Sequence, residues 1–474
     1  MLNGRASSAA DGGRVESVRA RRTPNQALRI LLGEAGWSGA RLAREVNALG
    51  AAQGNVLHYD RTAVAHWLAG SRPRRPVPSL VAEALSRRLG RTVREQDTGL
   101  SAPRSPGRAP VAPADEEGAV ARLEHVLNAV DRRGVTLVGA YSLAALATSA
   151  GPPVTPPAGP APVRQVGMAR QVGTVHVTSA REMLALFSQG DVVFGAGRVH
   201  EPLRQYLSVT VLPWLKREMT PGVRRELLTV ASRLTYLCAF THFDMNHHAA
   251  AQRLYLTAAE LAREAGDRIG HGLALRGLSV QAHALGHFGE AHHLAEQAVQ
   301  ESLRYAPPHQ QAFFHGQLAV ALAARGDVRH TRHLSAADRC LERSSNGDSP
   351  VGAFHPGSLA LQRASVAVSR GDRRTAAAAL DISLRHRPAD ERRSRALGLA
   401  ELAENRLAIG HLEQACHAWH RFLDVYPRIH SARADDRVRL MIAKSRPYTT
   451  SAAVAALHAR AHELRRGRSA APGE

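Results

Sequence analysis

The stretch DRTAVAHWLAGSRPRRP, Asp60 to Pro76, carries two kinds of side chain. Val64, Trp67 and Leu68 fall at i, i+3 and i+4, an apolar seam for a helix that Asp60 can cap and Gly70 can end. The opposite arc holds Arg61, Thr62, Ala65 and His66, short or hydrogen-bonding groups with one guanidinium at the N-terminal end. Such groups suit base-pair edges, which are read by donors, acceptors and close approach. Arg72, Arg74 and Arg75 follow at once and suit phosphates beside a groove. Ser38, at the head of the preceding helix, adds free backbone N–H groups, and Arg41 adds a cation one turn on. Trp67 is read as core rather than as a base-stacking residue. The alternative is a small helical domain whose arginines are a solvated face.

Other chemistry is weaker. His283 and His287 are i, i+4, with His292 and His293 beyond, and His242, His247 and His248 form a second group. Gly286 interrupts the first pair, no HExxH is present and no cysteine is near, so these histidines are expected to be solvated or groove-lining, with no metal. FGAGRV holds half of a dinucleotide fingerprint, Gly195 and Gly197, but His200 stands at the third glycine and no βαβ pattern surrounds it. No Walker loop, G-x-S-x-G or paired catalytic carboxylates stand out. The expectation is no enzyme, no catalytic residue and no cofactor. Cys238, Cys340 and Cys416 are far apart, which fits a reducing compartment.

Four helices are expected to position the basic arc. Thr23-Pro24-Asn25-Gln26 reads as a capping box opening the first helix, which runs to Gly36. Ser38 caps the second, with Leu42, Val46 and Leu49 on one face; Asp60 caps the third; Ser79 caps the fourth, with Leu80, Val81, Ala84, Leu85 and Leu89 inward. From Arg19 to Arg94 there are 14 arginines and four acids, a net +10 within a whole-chain excess of +21. Arginine choice alone means little, since only Lys216 and Lys444 are lysines and a GC-rich genome gives that bias, but a localised patch favours an anionic partner.

LAREV followed by RTAVAHWLAGSRPR resembles the helix-turn-helix of the XRE (Cro/repressor-like) regulators over residues 23–90. Ala43 and Trp67 to Pro73 stand where that family packs a small residue of helix two on an aromatic-x-x-Gly-x-x-Pro helix end. NALGAAQGNVLHYD departs from it by lengthening the connection between the two helices beyond the usual turn. Downstream, residues 226–430 repeat an apolar helix, a short turn and a second Ala/Leu helix, with turns expected at Thr241, Gly286, Gly326, Gly371 and Gly410. The G-(H/D)-x-x-x-A turns and Pro427 resemble the tetratricopeptide (TPR) repeat in degenerate form. With the stretch 183–216, the order helix-turn-helix, Pro-rich linker, solenoid resembles a group of actinobacterial XRE–TPR regulators of development and secondary metabolism.

The expected organisation is all-α: a disordered basic arm (1–22), an XRE-like DNA-binding unit (23–98), a Pro-rich linker with one helix at about 118–148 (99–169), a TPR-like solenoid (170–445), and a C-terminal helix and tail (446–474). The apolar run after Arg133 is too short and interrupted for a membrane span, and the first residues have no apolar h-region, so a cytoplasmic, nucleoid-associated place is expected. The resemblance implies a homodimeric transcription regulator that binds double-stranded DNA and takes a peptide or protein in its TPR groove. The competing expectation is a TPR adaptor whose basic unit binds an acidic protein or RNA.

Overall fold

The structure, a computed structural model, describes residues 23–52, 57–74, 76–89, 93, 95–100, 118–131, 141–146, 171–344 and 354–470. Among them the fold is all-α, without strands. The first unit is α1 (Gln26–Ala35), α2 (Gly39–Ala52), α3 (Arg61–Leu68) and α4 (Val77–Leu89). Leu28, Leu42, Val46, Val64, Val81 and Leu85 pack at its centre, none of them exposed, with Trp67 only 4 % exposed.

Two caps differ from expectation. The cap of α1 is Asn25, not Thr23: its Oδ1 accepts from Leu28 N at 3.0 Å. Asn25 wins because its amide also donates to Thr98 O at 2.9 Å and its backbone N–H to Leu68 O, so one residue ties both ends of the bundle. Helix α4 begins at Val77, so Ser79 lies inside the first turn and donates to Pro76 O.

Among the described residues of 118–148 there are two helices rather than one, α5 (Ala119–Asp131) and the single-turn α6 (Leu143–Leu146); 132–140 and 147–148 lie outside the described residues. Leu123 and Leu127 of α5 are buried in the same core as the long helices downstream. Next come α7 (Thr174–Phe194), α8 (His200–Tyr206) and α9 (Leu212–Leu215), the last two joined by a π turn at Leu207–Val211. Pro213 has no N–H to give to the Val209 carbonyl, which accounts for the widened turn.

Five antiparallel pairs follow: α10 (Pro221–Asp244) with α11 (His248–Ala265), α12 (Arg268–Ala284) with α13 (Phe288–Ser302), α14 (Pro308–Ala324) with α15 (His330–Glu342), α16 (Pro356–Ser369) with α17 (Arg373–His386), and α18 (Arg392–Ala408) with α19 (Leu412–Val425). Helices α20 (Ala432–Ser445) and α21 (Ala452–Ala470) cover the last pair, with Val454, Leu457 and Ala461 fully buried. Gly286, Gly326, Gly371 and Gly410 turn their pairs at φ between 74° and 84°, the left-handed region that only glycine enters freely. Thr241 is not a turn. It is fully buried inside α10, and the first pair turns at Asn246, φ 61°. Asparagine is among the few other residues that tolerate that region. The turns are then 40, 40, 45 and 39 residues apart.

The row of pairs closes on itself. Helix α7 packs on both α10 and α18. Asp191 of α7 meets Arg393 of α18 at 2.5 Å, both almost fully buried, and Asn246 donates to Asp436 of α20 at 2.6 Å. His430 N–H donates to Phe194 O at 2.8 Å, and Gly197 N–H to His430 O at 2.9 Å. A Cβ at Gly195 would lie 2.8 Å from the His430 carbonyl oxygen, and one at Gly197 2.7 Å from His430 Cβ. The glycines of FGAGRV therefore let two backbones meet, a steric role unrelated to a nucleotide.

Candidate nucleic-acid interface

Helix α3 sits with Val64 unexposed and Trp67 buried, while Arg61, Thr62, Ala65 and His66 are exposed along the opposite arc. Asp60 starts it: Oδ1 accepts from Ala63 N at 2.9 Å, which holds its carboxyl below the usual range. The long connection does not blur the register. Asn47 of α2 donates to Tyr59 O at 2.8 Å and accepts from Tyr59 N at 2.9 Å. The Tyr59 ring then meets Trp67 edge-on, centroids 5.2 Å apart. Tyr59 thus faces the bundle, and Arg61 opens the helix on the outside. Ala43 is buried as expected, and Gly39 also lies against α3, where a Cβ would be 3.3 Å from Val64 Cγ1.

Around this arc the cations divide. Arg72 and Arg74 are exposed and make no ion pair among the described residues. Arg41 is exposed but paired with Glu45 at 2.8 Å, an i,i+4 surface contact worth about 0.3–0.5 kcal/mol and easily exchanged. Ser38 is exposed, and its Oγ accepts from Arg41 N at 3.3 Å. Arg75 lies outside the described residues. An eight-residue helix spans about 12 Å, so Arg61 at one end and Arg72 and Arg74 past the other bracket a length close to a major-groove width. Arg87 and Arg88 are committed inside the unit, to Glu83 at 2.7 Å and Ala35 O at 2.9 Å.

Glu83, 3 % exposed, has a second task that the sequence reading missed. Its Oε2 accepts from Leu143 N at 2.8 Å. On the other side of the same segment, Gln252 of α11 accepts from Ser142 N at 2.8 Å and donates to Ser142 O at 2.7 Å. Tyr141 stacks on His287 with centroids 5.4 Å apart and planes 3° from parallel. Residues 141–146 are therefore a joint between the small bundle and the solenoid. Burial pushes the Glu83 carboxyl up and the His287 imidazole down to about 4. No pattern marks Glu83, Ser142 or Gln252, because each is polar, isolated and far from its partner in sequence; His287 stands out only as the i+4 neighbour of His283.

Residues 28–101 match a family model described as the SP15 N-terminal domain. The match falls on the four-helix bundle, whose buried core runs from Leu28 to Leu100. No curated protein is similar enough to the chain to be matched.

Proposed function

We propose that the chain is a sequence-specific DNA-binding transcription regulator: an XRE-like helix-turn-helix reads the major groove with α3, and a TPR-like solenoid dimerises or senses a peptide or protein. The observation that carries this reading is the exposed arc Arg61, Thr62, Ala65 and His66 on a helix whose other face is locked in the core. Arg72 and Arg74 beyond its C-terminus, exposed and without an ion pair among the described residues, support it, as does the concentration of positive charge in this unit. Its resemblance to the actinobacterial regulators adds development or secondary metabolism as the setting, and the cytoplasm, on the nucleoid, as the place.

The test is a gel shift with the full chain at several salt concentrations. Arg61→Ala and His66→Ala are expected to weaken a selected site by about 1–3 kcal/mol each while leaving random DNA nearly unchanged. Arg74→Ala is expected to weaken both and to reduce the salt slope by about 1. Unchanged binding in all three variants contradicts the reading. Salt-insensitive capture of an acidic protein or RNA would favour an adaptor instead.

A further inference from the structure

The inner face of the helix pairs forms a half-open cleft of about 1040 Å³. Small-molecule sites span roughly 300–1,000 Å³, so the space fits one compact ligand. Tyr236, Phe240, Phe243, Phe313 and Phe354 supply its aromatic wall.

The acidic groups of the lining are already engaged. Glu391 accepts from His355 at 2.9 Å and also from Arg387. Glu401 and Glu404 meet Arg437 at 2.7 and 2.9 Å, and Asp436 meets Asn246. Arg393 is held by Asp191. Three arginines of the lining are left without a hydrogen-bonded carboxylate. Arg276 lies over Phe313, Cζ 3.3 Å from the ring centroid, and donates to the Phe313 carbonyl. Arg373 donates to Asn405 Oδ1 at 3.2 Å. Arg433 lies over Phe243, and its acidic neighbour, Asp244 Oδ1, is 3.9 Å away.

Arg276 has no carboxylate partner among the described residues and Arg433 only the distant Asp244, so their charges are incompletely compensated. Burial accordingly pushes Arg276 down to about 10. Arg276 and Arg433 both line this one cleft.

We propose that this cleft binds a small organic anion: a carboxylate, sulfonate or phosphate head at Arg276 and Arg433 and a flat apolar body among the aromatic rings. This rests on the reading of the solenoid as the sensing half, and it replaces an extended peptide by a compact ligand. An anion meeting these arginines gains charge-assisted hydrogen bonds where water competes least.

The probe is 1-anilinonaphthalene-8-sulfonate, titrated into the full chain by fluorescence. Saturable binding at one site per chain is expected, weakened about tenfold or more by Arg276→Gln and Arg433→Gln, one lost charge-assisted contact each. Arg421→Gln, on the exposed face of α19, is expected to leave it unchanged. Nile red, which is neutral, should still bind the two arginine variants and so report an intact cleft. Ser365→Trp fills the space with every arginine in place and is expected to abolish sulfonate binding; a folded Ser365→Trp chain that keeps the site overturns the proposal. So does unchanged affinity in both arginine variants. Loss of the dye site in a chain that still selects DNA removes this inference alone. A dye site in a chain that selects no DNA removes the regulator reading and leaves the cleft.

Discussion

His242 is 2 % exposed, its ring 6.0 Å from His200 and 5.7 Å from His247, with Arg204 and Glu201 also facing it. Burial first, then the neighbouring cations, push it down to about 3. The folded chain therefore binds fewer protons at this site than the unfolded chain between pH 3 and the ordinary imidazole range. Stability from His242 is complete above about pH 6.5 and lost as pH falls, by up to about 1.4 kcal/mol per pH unit. Glu83 and Asp191, whose carboxyls burial pushes up, act with the opposite sign, so a variant isolates the effect. Urea unfolding of His242→Phe against the natural chain is expected to show a smaller stability loss between pH 7.5 and 5.0; equal losses would contradict it. Sequence made this histidine one of a solvated or groove-lining group. Its true surroundings come from α8 and the start of α11, and no spacing within α10 reveals them. The exposure of the arc Arg61, Thr62, Ala65 and His66 was legible, because a residue opposite an apolar i, i+3, i+4 seam has nowhere to go but outward.

At the scale of elements, the turn residues decide how well each helix pair closes. Gly371→Ala is expected to destabilise the chain by about 1–2 kcal/mol, since it sits at positive φ. Asn246→Gly relieves the same kind of strain but loses the hydrogen bond to Asp436, so it is expected to be net destabilising by about 1 kcal/mol, and thermal melts of the two variants check both losses. Four turns were readable because glycine announces them; the first was hidden by asparagine and by the extra length of α10. The joint at 141–146 makes a different prediction. Gln252→Ala leaves the Ser142 N–H and C=O unpaired, at a cost of about 1–3 kcal/mol. Hydrogen exchange is expected to accelerate at Ser142 and Leu143 while the centre of α4 stays protected. Unchanged exchange at Ser142 would show that Gln252 does not hold the segment.

For the whole molecule, the all-α class and the succession of small bundle, Pro-rich segment and solenoid were readable from periodicity and composition. Closure of the solenoid was not. It depends on Asp191 with Arg393, on Asn246 with Asp436, and on two glycines beside His430, pairs separated by about two hundred residues or more. An isolated sequence gives no reason to join them. The same closure separates two faces of the protein, a basic helix turned outward and a cleft turned inward, connected through Glu83, residues 141–146 and Gln252. The central claim concerns the outward face. Its most direct test is selection by the full chain from a randomised duplex pool, sequenced after several rounds. The account predicts one enriched motif for the natural chain and its loss in the Arg61→Ala/His66→Ala double variant. A pool that stays random, or a motif unchanged in the double variant, would contradict it.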